Sequence, residues 1–223
     1  MMHPMQPRRS AVPSTQGNTV LRGGAVRALA ACLALLAVAG VAGAQDIKDG
    51  SLLVASTDLK DSNFSRSVVL VIHHDDKGTV GLVLNRITLL APATVFPELK
   101  DGLGKYAGKL FRGGPVGATQ VLFLVRGLAA AVVQGPEVVD HVFLSADADQ
   151  LKDIAALAEG PDNLRLYAGH AEWGPGQLEH EISTGAWTLT DCTADQIFAA
   201  DPSQVWQEAI GRRNAIVADA SIH

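Results

Sequence analysis

From residue 51 onward, short apolar runs alternate with clusters of turn-forming residues. "SLLVAS" (51–56) has the length of a strand. "SVVLVIHH" (67–74) and "TVGLVLN" (79–85) are β-branched runs separated by "DDKG", whose final glycine can take positive φ, so the pair predicts a β-hairpin. Residues 86–110 mix apolar side chains with two prolines and several glycines, the pattern of a long excursion holding one short helical turn. "LFRGGPVG" (110–117) predicts a sharp turn into a strand pair over 120–126 and 128–133, followed by a strand over 141–145.

The period then changes. Leu151, Ile154, Ala155 and Ala158 recur at helical spacing behind a capping Asp147, and Gly160-Pro161 ends that helix. "NLRLYAG" (163–169) predicts a strand that stops at Gly169. A short amphipathic helix over 176–183 carries Leu178 and Ile182, and "AWTLT" (186–190) is a last strand. Asp201 and Pro202 predict the start of a closing helix with Val205, Trp206, Ala209 and Ile210 on one face. Strands lead and helices come late. The expected fold is therefore α+β, one domain with a large, mostly antiparallel sheet, and not alternating βαβ units.

The first 44 residues follow other rules. They hold four arginines and no acid, then the run Ala28–Gly43, then Ala42-Gly43-Ala44. Basic region, apolar core and small-residue cleavage site together predict a secretory signal peptide over 1–44, with a domain over 45–223. The run is shorter than the roughly 18–20 apolar residues of a membrane span. A periplasmic or secreted product is expected, with retention as a membrane anchor or lipidation at Cys32 as the lesser alternatives.

Removing that segment changes the charge. All 23 acids remain against 14 Lys and Arg, a formal charge of −9, with no basic stripe to bind a phosphate backbone. Nucleic acid is not an expected partner. Cys192 is left alone, so the expected domain has no internal disulfide and its core must hold it. No GxSxG or SxxK motif marks a nucleophile, and the glycines of "FRGGPVG" lack phosphate-loop spacing. Two clusters offer metal-ligand chemistry: His73 and His74 beside two aspartates, and His170, Glu172 and His180 near a Gly-Pro-Gly turn. Adjacent His73 and His74 point to opposite faces of a strand, and no HExxH is present, so solvated or structural roles compete with a metal site.

The segments "DSNFSRSVVLVIHHDDKGTVGLVLNR", "LFRGGPVG", "LYAGHAEWGPGQLEHEI" and "DPSQVWQEAIGR" resemble, in that order, the landmarks of the YqgE/AlgH family over roughly residues 50–213. The resemblance implies a single α+β domain on a large, curved, mixed sheet flanked by a few helices. It implies no established reaction, and a transcriptional label that rests on a genetic association. The chain departs from the family pattern at Thr57, Ser62 and Ile87, where proline is usual, and at His73, His170 and Glu172.

The combined expectation is a non-catalytic, exported domain that binds an unidentified protein or small ligand without a cofactor. Its surface feature would be formed by Asn85, Gly113, Gly114, Pro115, Trp173, Gly174 and Gln177. The alternative is a metal-binding protein using His73, His74, His170, Glu172 and His180.

Overall fold

A computed structural model describes residues 46–103, 106–128, 131–158 and 160–220. The expected signal peptide and Cys32 lie outside them. Among the described residues nine strands form one curved sheet: β1 Ser51–Ala55, β2 Val68–Asp75, β3 Gly78–Val83, β4 Leu110–Arg112, β5 Val116–Arg126, β6 Glu137–Val139, β7 Val142–Ser145, β8 Leu164–Trp173 and β9 Trp187–Asp191. Their order is β6-β7-β5-β8-β3-β2-β1-β9, with β4 added on β8. Every pairing is antiparallel except β4 with β8. The α+β class, the single domain and the mixed, mostly antiparallel sheet are as the sequence predicts.

The runs of β1 and β2 are apolar without alternation because both faces of this part of the sheet are covered. Leu52, Val54, Val68 and Leu70 enter one core with Ile197, Phe198 and Val205, which belong to or follow α5 (Ala194–Ile197) and lead α6 (Val205–Ala220). Leu53, Ala55, Val69 and Val71 enter the opposite core with Trp173, Trp187 and Leu178 of α4 (Gln177–Ser183). A third core lies against β5 and β8, where Phe123, Val125, Leu164 and Leu166 meet Leu151 and Ile154 of α3 (Ala148–Leu157). Phe96, Leu99 and Leu103 join it from α1 (Pro92–Val95), a 3-10 turn and α2 (Lys100–Leu103). Each such side chain, fully buried, stabilises the fold by about 1.5–3 kcal/mol relative to exposure.

Local signals explain the well-read elements. The β2–β3 hairpin closes with Asp75 opposite Gly78, and the Asp75 carboxylate accepts from the Lys77 amide at 2.8 Å. Asp147 caps α3, its side chain accepting from Asp149 and Gln150 amides.

Elsewhere the structure differs from the pattern. Where described, residues 128–133 are turn and not strand, so β5 pairs with β7 and β8 instead of with its expected sequence neighbour. β8 runs on to Trp173, because Gly169 takes φ +70° within the strand and does not end it. Opposite it, β5 slips register between Val116 and Val121. Asp201 receives the Ser203 amide at 3.0 Å and caps a turn, and α6 starts later, at Val205. β4, β6 and α5 are additional short elements.

The sheet forks at one junction. β3 and β8 pair only over Thr79–Gly81 and Ala171–Trp173, and beyond that they diverge. Gly113 and Gly114 fill the fork: the Gly113 amide donates to Ala168 at 2.9 Å, and its carbonyl accepts from Val83 at 2.8 Å. A Cβ on Gly114 would stand 2.1 Å from the His170 carbonyl atoms, so no side chain fits there.

Candidate functional site

The segment between β1 and β2 is a polar loop held by one aromatic anchor. Phe64 stacks on Trp173 at 5.7 Å and meets Trp187 edge-on at 5.7 Å. Below them, Glu181 Oε2 accepts from both indoles, Trp173 Nε1 at 3.0 Å and Trp187 Nε1 at 2.8 Å. Gln177 completes the brace, donating to Glu181 Oε1 at 2.9 Å and accepting from the Gly174 amide at 3.1 Å. The spacing of "WGPGQLEHE" thereby gains a reason. Residues 173, 177 and 181 form one chain of hydrogen bonds, the last two a helical turn apart on α4.

Asn85 ties the other end of the loop, accepting from the Val68 amide at 3.1 Å and donating to the Arg66 carbonyl at 2.9 Å. Arg86 donates to the Ser65 carbonyl and, at 3.3 Å, to Ser67 Oγ. Arg112, at the end of β4, donates to Asn63 Oδ1 at 3.2 Å. Between these two guanidinium groups is a cavity of about 60 Å3, lined by Ser62, Asn63, Val83, Arg86, Arg112, Gly114 and Pro115. None of its lining side chains is acidic. Among the described residues neither arginine forms an ion pair with a carboxylate.

The structure thus divides the seven expected surface residues by role. Gly114 and Pro115 line the cavity, Gly113 closes the sheet behind it, and Asn85 fixes the loop. Trp173, Gly174 and Gln177 act at one remove, through Phe64. Arg86 and Arg112, immediate neighbours of Asn85 and Gly113, supply the charge and are absent from the expected set. The signal for them is in the sequence: two arginines beside turn residues in a strongly acidic domain.

The five candidate metal ligands form pairs. His170 Nε2 meets Glu172 Oε1 at 2.6 Å, while His74 lies 2.8 Å from Thr79 Oγ1 and 3.8 Å from Glu179. His73 faces Asp75 at 3.4 Å and shares a shallow depression with Glu172, and His180 is exposed on α4. They do not meet at one point, because β2 sends His73 and His74 apart and His180 lies on a different element. Among the described residues, three potential ligands come within 4.8 Å of one another only at Glu137, Asp140 and His141, all exposed.

Nucleophilic chemistry finds little footing. Burial pushes the Cys192 thiol up to about 12, which keeps it protonated. Ser67 is buried beside the Arg86 guanidinium, and among the described residues no imidazole hydrogen-bonds to it. Among the described residues no helix is long and apolar enough to cross a membrane.

A curved, mostly antiparallel sheet with short flanking helices, whose loop, fork and indole brace meet at one end, defines an α+β domain of a recognisable kind. The AlgH-like family model matches residues 52–216, and the chain belongs to that family. A UPF0301 protein of Streptomyces avermitilis is 37% identical over 172 residues, covering 74% of this chain and 86% of the relative. One from Cytophaga hutchinsonii is 32% identical over 164 residues, 72% and 87% of the two chains. A crystal structure of a protein from Corynebacterium diphtheriae superposes with TM-score 0.64 at 30% identity, covering 75% and 88%. The solution structure of AlgH from Pseudomonas aeruginosa gives 0.60 at 29%, covering 74% and 87%.

Proposed function

We propose that this chain is an exported, non-catalytic binding domain that takes the anionic end of a protein or small ligand between Arg86 and Arg112. The observation that supports this is the donor-rich cavity itself. Two guanidinium groups, a serine and an asparagine line about 60 Å3, with no acid among them, in a domain whose charge is otherwise strongly negative. That volume holds a carboxylate group and not a whole substrate, so the rest of the ligand stays outside on the loop and the Gly114-Pro115 turn. Each guanidinium spends part of its fork on loop oxygens and keeps donors free for a bidentate contact. None of the lining side chains can act as a base toward a bound group, which favours capture over conversion.

The test is anisotropy titration of a dye-labelled peptide with an acidic, free C-terminus, run beside the same peptide amidated. Binding of the free acid, weakened at least tenfold by amidation or by Arg112→Ala, is expected. Equal affinity for both peptides, or saturable turnover of an ester, peptide or phosphate panel, would refute the reading. Export is tested apart, by cell fractionation and intact mass, with a product beginning at Gln45 in the periplasmic or culture fraction as the expected result.

A further inference from the structure

The strand "NLRLYAG" hides a second cation. Leu164 and Leu166 of β8 point into the core shared with α3, so strand alternation sends Arg165 and Tyr167 to the opposite face. There Arg165 is 6% exposed. Its guanidinium lies over Phe111 at 4.8 Å and near Phe198 at 5.8 Å, and Nη2 donates to the Ala199 carbonyl. Among the described residues Nη1 has no hydrogen-bond partner, and neither has the hydroxyl of fully buried Tyr167. Among the described residues no carboxylate pairs with Arg165, and neighbouring Arg126 is already engaged by Asp195 at 3.2 Å and the Asp162 carbonyl at 2.8 Å. A buried charge with an idle donor ranks among the costliest features a fold can carry, and native proteins rarely keep one without an anion or water to meet it.

Beside this group is a cavity of about 290 Å3, close to the lower size of small-molecule sites. Arg165, Lys109, Asp162 and Tyr106 form its polar walls, with Ile87, Phe111, Pro161 and Pro202 among its apolar ones. We propose that this cavity is a binding site for a small monocarboxylate with a flat apolar body, its carboxylate drawn to the Arg165 guanidinium at the cavity wall and its body lying along Phe111. It stands on the opposite face of β4 from the Arg86–Arg112 cavity and needs none of that site's residues. The charge of the ligand follows from the lining: Arg165 and Lys109 against Asp162 leave one net positive charge, which suits a monoanion better than a phosphate dianion. Tyr106, whose hydroxyl donates to the Leu164 carbonyl at 2.6 Å, keeps acceptor capacity and no free proton, so Arg165 is the donor that selects the acid.

Benzoate is the probe, with benzamide as its neutral isostere and inorganic phosphate as the competing anion. Thermal unfolding and calorimetric titration of the purified full chain should give saturable benzoate binding, with benzamide and phosphate each at least tenfold weaker. Arg165→Met should weaken benzoate at least tenfold. Should that variant fail to fold, Ala200→Phe fills the cavity without touching the guanidinium and should abolish binding alone. Absence of benzoate binding to the wild type overturns the proposal, as does undiminished binding to a folded Arg165→Met or Ala200→Phe protein. A response to phosphate exceeding that to benzoate overturns it too.

Discussion

Two arginine-lined cavities occupy opposite faces of the β4 ribbon, and they answer the same electrostatic problem in different ways. On one face Arg86 and Arg112 lend some donors to oxygens of the 61–67 loop and expose the rest to water. On the other, Arg165 is packed against two phenyl rings with one nitrogen unserved. Neither side has a carboxylate partner among the described residues. The difference teaches that a missing counterion matters in proportion to burial: water stabilises an exposed guanidinium at little cost and serves a mostly buried one poorly.

The comparison breaks most readily at the backbone that lines the Arg86–Arg112 cavity. Gly114→Ala drives a methyl into the His170 carbonyl and should cost about 3 kcal/mol by urea unfolding. A tolerated alanine would mean that the Gly114 backbone does not pack this closely on His170. Next comes Glu181→Ala, which strips a charged acceptor from two buried indoles and should cost about 2–3 kcal/mol. By freeing Phe64 it should weaken the acidic peptide and leave benzoate affinity unchanged, separating the sites.

Alkaline pH sharpens the comparison from the Arg165 side. Burial raises the pKa of Cys192 from 9.0 to about 12, and it raises both Tyr106 and Tyr167 above their ordinary 10.0. These groups keep protons when folded that the unfolded chain releases, so the stability they confer is complete below pH 9 and declines as pH climbs past it. The expected slope is about 1.4 kcal/mol per pH unit for each group that has begun to titrate, read from urea midpoints between pH 8 and 11. A flat profile there would contradict the burial of all three. Smallest is the sign test: without ligand, Arg86→Met should lose about 1 kcal/mol and Arg165→Met gain about 1 kcal/mol in the same unfolding assay.

How much of the molecule is legible in its sequence depends on the range of the forces involved. The β2–β3 hairpin and the capped helix α3 are legible because turn glycine, capping aspartate and apolar period all act within a few residues. Three-residue β4 and β6 are not, since each exists through a partner beyond its own segment: β4 through Leu166–Ala168, β6 through β7 across a short turn. The segment 128–133 carries strand-forming residues, but its described part finds no place on β5, whose edges β7 and β8 already occupy. Gly169 misleads because a positive φ inside a strand and a strand end draw on the same residue type. For the site, the glycines and Asn85 come through the resemblance, whereas Arg165 lies concealed among leucines. A single cation in an otherwise apolar strand is the mark that could expose it.

The brace around Glu181 has an optical consequence. All 3 tryptophans pack on the core that contains Leu53 and Val69, two of them sharing one carboxylate and the third, Trp206, donating to the Ala55 carbonyl at 2.8 Å. Both tyrosines, 2 in the whole chain, belong instead to the neighbourhood of Arg165. Indole emission therefore reports chiefly on the Glu181 brace and tyrosine absorbance on the Arg165 side, with Trp206, which also packs on the core holding Tyr167, touching both. The protein carries two native chromophores of different colour, and loosening of the indole brace can be told apart from loosening around the two tyrosines without attaching a dye.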